Sequence, residues 1–363
     1  MLITSQFYSV RLCSVDLNTS LWEHTRMIDN QAMFSNKMLQ WHKEYGRKNL
    51  PWQGQNPYYV WISEIMLQQT QVKKVILYFN NFMKQFPTLE KLSQADIQQV
   101  LSCWSGLGYY NRAKNLHNSA KICAKEHANE LPIQFEQLLS LPGIGKTTAG
   151  AILSLSLNLP YAILDGNVKR VMSRVFTVSH EKPAVLNKKL WEIVDQLLPK
   201  DQAKDYNQSL MDLGSMVCKR SKPLCSACPL AEICKAYQLD QINRYPQAKT
   251  KTRQLNKTLH ALMIRNQGEI FLQQRPANGI WPQLWFLPTF ENRQELLQEC
   301  EKLDTTEVDK FSIEHILTHR IFDIQVTCVN SSNNTMAGKW QKIEDIKLLP
   351  HPTALIKIIE HSS

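Results

Sequence analysis

The stretch LPGIGKTTAGAI, Leu141 to Ile152, decides how the first two thirds of this chain are folded. Its GIGKTT core is close to the P-loop pattern Gly-x-x-x-x-Gly-Lys-Ser/Thr, which must follow a buried strand. Counted back from Gly145, the first glycine of that pattern falls on Ser140. The preceding PIQFEQLLSL has apolar residues at helical spacing and predicts a helix. We therefore interpret the stretch as helix, glycine turn and helix, whose main-chain N–H groups can bind a phosphate.

Composition limits the classes of protein to which the chain can belong. Its 363 residues allow two ordinary domains, and 43% hydrophobic with 20% charged residues is a normal globular composition. The formal net charge of +10 favours a polyanionic partner. There is no apolar run of about 18 residues that would predict a membrane span, and the N-terminal MLITSQFYSV does not resemble a secretory signal. We expect a cytoplasmic protein.

The nine cysteines are distributed unevenly. Five are scattered, as small buried residues of a reducing compartment are, and four form the spacing Cys-x6-Cys-x2-Cys-x5-Cys: Cys218, Cys225, Cys228 and Cys234. Thiolates bind zinc or iron–sulfur clusters. Only the central pair has the short spacing of a zinc hook, so the pattern favours a [4Fe–4S] cluster, with zinc as the alternative. Basic residues in the first loop predict a contact with DNA.

Patterns along the chain predict four segments. Residues 1–30 lack periodicity and are expected to be a flexible extension, or to precede the true start. Residues 31–243 are almost entirely helical in pattern, and 244–257 form a linker with five basic residues and no acidic one. Residues 258–363 mix strand and helix patterns and predict a separate α+β domain.

Long motifs in this order resemble the helix-hairpin-helix DNA glycosylases that carry an iron–sulfur cluster. Within them, VWISEIMLQQTQV, GLGYYNRAKNL, ILDGNVKRV and MDLGSMVC are similar to the adenine DNA glycosylase (MutY) family. The resemblance implies a mostly α catalytic region, namely a six-helix barrel with an iron–sulfur subdomain, followed by a NUDIX-like α+β domain. It also implies removal of adenine opposite 8-oxoguanine or guanine in double-stranded DNA, by a monomer.

The chemistry of that reaction needs a proton donor. A free glutamic acid has a pKa near 4.3, so only about one in 500 is protonated at pH 7. A rise of about 2 in the pKa, which costs about 2.7 kcal/mol, brings this to about one in six. Glu64 lies in the apolar segment WISEIML, where desolvation would raise its pKa, and the resemblance makes it the acid. The resemblance also makes Asp165 the carboxylate that faces the sugar cation, although Asp165 could simply cap a helix, and Asn167 the residue that orients it.

The resemblance assigns further residues to DNA. Gly143 and Gly145 would hold a backbone phosphate beside Lys146. Thr147 stands where strand-cutting relatives such as endonuclease III carry a lysine. Because Lys146, one residue earlier, is rotated by about 100° on the helix, we expect a monofunctional glycosylase with weak or no lyase activity. Residues that would enter the base stack or contact 8-oxoguanine are Gln69, Thr70, Leu107 and Tyr109; Tyr109 could otherwise be a core aromatic residue.

The C-terminal domain resembles a NUDIX fold without the acidic metal box. HILTHRIFDI is similar to the family's recognition loop and gives His315, Thr318 and His319, with Leu317 in place of phenylalanine; the histidines could otherwise be ordinary surface residues. Three alternatives to the adenine glycosylase remain: an endonuclease III-like glycosylase/lyase for oxidised pyrimidines, a catalytically silent lesion-binding protein, and a phosphohydrolase.

Overall fold

The computed structural model describes residues 17–247, 254–305, 307–332 and 336–362. The helices are α1 (Leu17–Tyr45), α2 (Pro57–Leu67), α3 (Val72–Gln85), α4 (Leu89–Gln94), α5 (Ile97–Cys103), α6 (Asn111–Glu126), α7 (Phe135–Ser140), α8 (Lys146–Leu157), α9 (Gly166–Val175), α10 (Pro183–Leu197), α11 (Ala203–Met216), α12 (Lys235–Gln238), α13 (Arg293–Lys302) and α14 (Thr353–His361). The strands are β1 (Leu255–Asn266), β2 (Glu269–Gln274), β3 (Trp285–Phe286), β4 (Thr289–Phe290), β5 (Asp309–Ile316), β6 (Arg320–Asn330) and β7 (Lys339–Lys342).

The chain divides into two compact units. The first combines Met1–Arg47 with Asn158–Gln247, and the second combines Lys48–Leu157 with Ala248–Ser363. The predicted helical domain 31–243 is thus shared between the two units, because α1 packs against α10 and α11, which come late in that region. Sequence patterns identify helices one at a time and do not show which helices pack together.

The first unit is built around an apolar core shared by α1 and α9–α12. Phe34 and Met38 from α1 meet Val171 and Met172 from α9 and Tyr206 from α11, all of them buried. A buried charge pair also joins the end of α1 to α11. Asp212 is fully buried and accepts hydrogen bonds from the Arg47 main-chain N–H (2.7 Å) and from its guanidinium Nε (2.8 Å) and Nη2 (2.6 Å).

The second unit contains α2–α8 and the C-terminal sheet. The helix α2 starts at a clear signal: Asn56 accepts a hydrogen bond from the Tyr59 N–H (3.2 Å), and Pro57 occupies the first position. Most of α2 is buried, and it packs against α8. The turn between α7 and α8 confirms the predicted helix–turn–helix at 141–152.

The sheet is mixed, in the order β3-β2-β1-β6-β5, with β4 beside β1 and β7 beside β2. Its centre is the parallel pair β1 and β6, in register from Leu255 opposite Arg320 to Arg265 opposite Asn330. Leu296 and Cys300 of α13 cover one face of the sheet. The predicted strands around the 266–268 turn and the two predicted helices, now α13 and α14, are confirmed, as is a helical region followed by an α+β domain.

Two predicted segments differ from the structure or lie partly outside it. Residues 17–30 of the expected flexible extension belong to α1, whereas residues 1–16 are outside the described residues. Residues 248–253 of the basic linker are also outside them, and β1 already begins at Leu255. Within the described ranges, no helix is both long enough and apolar enough to cross a membrane.

Candidate active site

Asp165 occupies the N-cap of α9 in the first unit, as the sequence predicts. Its Oδ1 accepts hydrogen bonds from the main-chain N–H groups of Asn167 (3.0 Å) and Val168 (2.7 Å). Its Oδ2 accepts one from the Asn167 side-chain amide (2.9 Å). Burial raises the pKa of Asp165, and these three donors partly offset the rise because they favour the carboxylate. The carboxylate is therefore fixed in orientation.

Arg170, which was not among the residues predicted from the sequence, holds Asn167 in turn. Its Nη2 donates to Asn167 Oδ1 (2.9 Å) and to the Gly214 carbonyl (2.6 Å). Its Nε donates to the Cys218 carbonyl (2.7 Å). The catalytic candidates Asp165 and Asn167 are thus linked through Arg170 to the end of α11 and to the start of the cysteine loop. The three-residue spacing from Asn167 on one helix was the only local signal for Arg170.

Gly214 allows α11 to approach Asn167 closely. A Cβ atom placed on Gly214 would lie 2.6 Å from Asn167 Cβ and 3.0 Å from both its Cα and its carbonyl carbon. Carbon atoms in ordinary contact are about 3.5–4.0 Å apart. Any larger residue at Gly214 must therefore displace Asn167 or α11.

The four clustered cysteines line one cavity in the first unit. Its other lining residues are mostly apolar, among them Val171, Leu213 and Leu230. Arg174, only 3% exposed, donates from Nη1 to Cys218 Sγ (3.3 Å) and to the Lys219 carbonyl (2.8 Å). Among the described residues, no group of three or more His, Cys, Asp or Glu side chains is arranged to hold a single metal ion. The four thiols therefore line a single, mostly apolar cavity.

Glu64 belongs to the second unit. It is half-exposed on α2, while its neighbours Ser63, Ile65 and Met66 are buried. One turn further on, Gln68 Nε2 lies 3.4 Å from Thr148 Oγ1 of α8. This contact connects the end of α2 with the helix that begins at the glycine turn.

The glycine turn presents main-chain groups to solvent. Gly143, Gly145 and Lys146 are exposed and Thr147 is half-exposed, whereas Ile144 is buried and anchors the turn. Gly143 has a φ of +82°, and a Cβ there would lie 2.9 Å from Asn115 Cβ, so the turn requires glycine at this position. The geometry is that of a small anion-binding turn.

The residues predicted to contact the base pair lie in the segments 69–70 and 107–109 and in the loop that follows β5. Gln69 and Tyr109 are exposed and have left-handed φ values of +59° and +53°. Leu107, by contrast, is 5% exposed and packs inside the helical part, so Tyr109 is the side chain that protrudes. Thr70 is half-exposed.

The predicted recognition residues of the C-terminal domain also divide into exposed and buried ones. Thr318 and His319 are exposed after β5, and a hydrogen bond of 3.2 Å joins Thr318 Oγ1 to Tyr109 Oη. His315 is buried on β5 with its ring 5.5 Å from that of Trp281, and burial lowers its pKa. Its ring therefore faces the interior of the sheet domain. The period-two alternation of a strand could have predicted this, since His315 shares a face of β5 with Phe311 and Ile313.

Comparison with known proteins defines the class. Residues 62–196 match the HhH-GPD superfamily of base excision DNA repair proteins, and residues 260–361 match the NUDIX domain family. The structure of a thermostable thymine-DNA glycosylase superposes with a TM-score of 0.53 and 26% identity, covering 58% of this chain and 98% of that one. A structure of a non-covalent endonuclease III–DNA complex shares the fold, with a TM-score of 0.50 at 19% identity and coverage of 58% and 97%. Fold and site thus define a helix-hairpin-helix base excision repair protein with a NUDIX-like domain.

Sequence relatives narrow the class to one family. Two adenine DNA glycosylases of Buchnera aphidicola subspecies align along 341 residues each. One, from strain Bp, is 37% identical over 90% of this chain and 96% of its own length. The other, from strain APS, is 41% identical over 91% and 97%. The chain belongs to the adenine DNA glycosylase family.

Proposed function

We propose that the chain hydrolyses the N-glycosidic bond of adenine paired with 8-oxoguanine or guanine in double-stranded DNA, and that it acts as a monomer. The observation that carries this proposal is the fixed Asp165 carboxylate, held by Asn167 and Arg170, in a member of this family. A carboxylate with its oxygens fixed by N–H donors is preorganised to stabilise a developing cation. Family membership supports adenine as the base removed.

Glu64 is the proposed proton donor. Its carboxyl group gives a proton to N7 of adenine, the bond between N9 and the sugar C1′ breaks, and the electron pair leaves with the base. The Glu64 neighbours Ser63, Ile65 and Met66 on α2 are buried, so the carboxyl group lies beside an apolar surface. The resulting carboxylate then accepts a proton from the water that attacks C1′, which restores the acid.

Asp165 faces the positive charge that develops on the sugar. Its Oδ1 is already used by two main-chain donors, so Oδ2 is the oxygen that it shares between Asn167 and the sugar. Asn167 keeps Asp165 in one rotamer, and Arg170 keeps Asn167 in place. Substitution of any of the three is expected to lower the rate of bond cleavage.

Strand cleavage is not part of the proposed reaction. A lyase needs an amine that forms a Schiff base with the sugar, and Thr147 has none. Lys146 is the preceding residue at the start of α8, where consecutive side chains are separated by about 100°. The product is therefore an intact strand with an abasic site.

Recognition of the opposite base is assigned to Tyr109, Thr318 and His319, which are exposed in the same unit. The hydrogen bond between Tyr109 and Thr318 supports a shared task for the helical part and the NUDIX-like domain. The exposed Gln69 and Thr70 are the second set of contacts to the base pair. Gly143 and Gly145 offer their amides to a backbone phosphate, beside the charge of Lys146.

A [4Fe–4S] cluster is the proposed cofactor, with zinc as the alternative. Cys218, Cys225, Cys228 and Cys234 would hold it, since all four line one apolar cavity. When bound, such a cluster would cross-link the loop. Arg174 already holds the same loop at Cys218 and Lys219, so the loop's basic residues would be presented to DNA from a rigid base. Thiolate ligands and a DNA partner suit the reducing cytoplasm.

The test is a single-turnover assay on a duplex with one A:8-oxoguanine pair, followed by alkali. We expect an alkali-labile site for the wild type, and a loss of at least about 100-fold for Glu64→Gln and Asp165→Asn, in the range attributed to general acid catalysis. A duplex with A:T is the control. No abasic site with A:8-oxoguanine would refute the proposal.

The alternatives give different results in the same assay. Cleavage of thymine glycol together with borohydride trapping would identify an endonuclease III-like enzyme. Tight binding of the mispair without release of adenine would identify a lesion-binding protein. Iron and sulfide analysis of the purified protein distinguishes the cluster from zinc.

A further inference from the structure

We propose that Arg112 is a positioning residue for recognition of the opposite base: its guanidinium holds the Gln68–Thr70 turn and the 106–110 loop at one fixed separation. The inference rests on the proposed function and deepens it. Arg112 lies in the first turn of α6, within the motif GLGYYNRAKNL, and the residues it holds are those assigned to the base pair.

One side of the guanidinium binds the C-terminal end of α2. Nη1 donates to the carbonyls of Ile65 (2.7 Å), Met66 (3.0 Å) and Gln68 (2.6 Å). The last carbonyls of a helix have no partner within the helix, and a cation at that end is favourable. Arg112 therefore fixes where α2 stops and where the left-handed Gln69 begins.

The other side binds the loop. Nη2 donates to the Gly108 carbonyl (3.0 Å) and lies 3.4 Å from Thr70 Oγ1. The guanidinium carbon is 5.4 Å from the centre of the Tyr109 ring and 5.5 Å from that of Trp104, which is within cation–π range. The protruding Tyr109 thus rests on the charge that also holds α2.

Both segments need such support because their backbones are in uncommon conformations. Gln69 and Tyr109 have positive φ values, as do the flanking Gly106 (+86°) and Gly108 (+83°). Left-handed φ values at residues other than glycine persist only where surrounding contacts enforce them. Arg112 contacts both strained segments with one rigid group, so their spacing depends on its planar geometry.

A lysine at position 112 could not make the same set of contacts. Burial lowers the pKa of Arg112 to about 10, so the group still carries its charge at pH 7. A lysine would keep a charge, but its ammonium donates from a single point and cannot reach the α2 carbonyls and Gly108 while stacking between two rings. The planar fork of arginine is what the site uses.

Loss of the Arg112 guanidinium should release Tyr109 from its position beside Thr318. In the intact protein a hydrogen bond of 3.2 Å joins Tyr109 Oη to Thr318 Oγ1. Contacts that distinguish 8-oxoguanine from guanine would then weaken more than contacts common to both pairs. We expect the preference for A:8-oxoguanine over A:G to fall about tenfold in Arg112→Gln, which corresponds to about 1.4 kcal/mol. A similar fall is expected in Arg112→Lys.

The experiment measures single-turnover rates and duplex affinities on A:8-oxoguanine and A:G for wild type, Arg112→Gln, Arg112→Lys and the control Lys121→Gln. Lys121 is exposed on the same helix, so its replacement removes the same charge without touching either segment. The preference is a ratio between two substrates, so a partly unfolded preparation leaves it unchanged. The lysine variant keeps the test available if the glutamine variant does not fold.

A reduced ratio in both Arg112 variants, with a wild-type ratio in Lys121→Gln, supports the positioning role. An unchanged ratio in Arg112→Lys, or an equal loss on both substrates, overturns it. If wild-type protein itself releases no adenine from either duplex, the proposed function fails instead, and the two failures are distinct.

Discussion

Replacing Gly214 with alanine tests whether the position of Asn167 sets the rate. Two effects oppose each other in this variant. Alanine in a helix interior is favoured over glycine by about 1 kcal/mol. The new Cβ, however, would lie 2.6 Å from Asn167 Cβ, so the two segments must separate by about 1 Å to reach ordinary contact.

We expect the cost of the clash to exceed the gain in helix propensity. Overpacking of this kind costs about 1–3 kcal/mol, so the net loss in the free energy of unfolding is about 0–2 kcal/mol. The effect on activity is larger: a shift of about 1 Å in a catalytic group can cost about 100-fold in rate. We therefore expect a protein that remains folded and excises adenine roughly 100 times more slowly.

Urea denaturation and single-turnover excision from an A:8-oxoguanine duplex measure the two effects separately. The matched control is Gly166→Ala, since a Cβ at Gly166 at the start of α9 meets nothing within 4 Å. The control should retain the wild-type rate. A Gly214→Ala protein that is more stable than wild type and equally fast would refute the reasoning, because Asn167 would then tolerate displacement.

Three further perturbations have defined outcomes. Asn167→Ala removes a donor to Asp165, so the pKa of Asp165 should rise further and the acid limb of the pH–rate profile should move to higher pH; an unmoved limb contradicts this. Tyr110→Phe removes the hydroxyl that donates to the His351 carbonyl (2.6 Å), and should lower the free energy of unfolding by about 1–3 kcal/mol in urea, whereas an equal value would show that the contact contributes nothing. Arg220→Ala should reduce the slope of log affinity against log salt by about 1 if this exposed residue contacts a phosphate, and an identical slope would exclude that contact.

The elements of this protein could largely be predicted from the sequence, because their signals are local. The glycine turn at 141–152, the helix start at Asp165 and the cysteine spacing each lie within a short segment, and local hydrogen bonding determines their geometry. The α+β character of the C-terminal third follows from periodicity in the same way. A resemblance in several such motifs was enough to indicate the family.

Tertiary structure alone decided which of these residues meet. Arg112 reaches from α6 to the end of α2, Arg170 reaches from α9 to α11, and Gly214 is required only because Asn167 packs against it. Leu107 and His315 matched recognition motifs, yet both are buried. Burial and long-range hydrogen bonds depend on how separate elements pack, and no short stretch of sequence contains both partners.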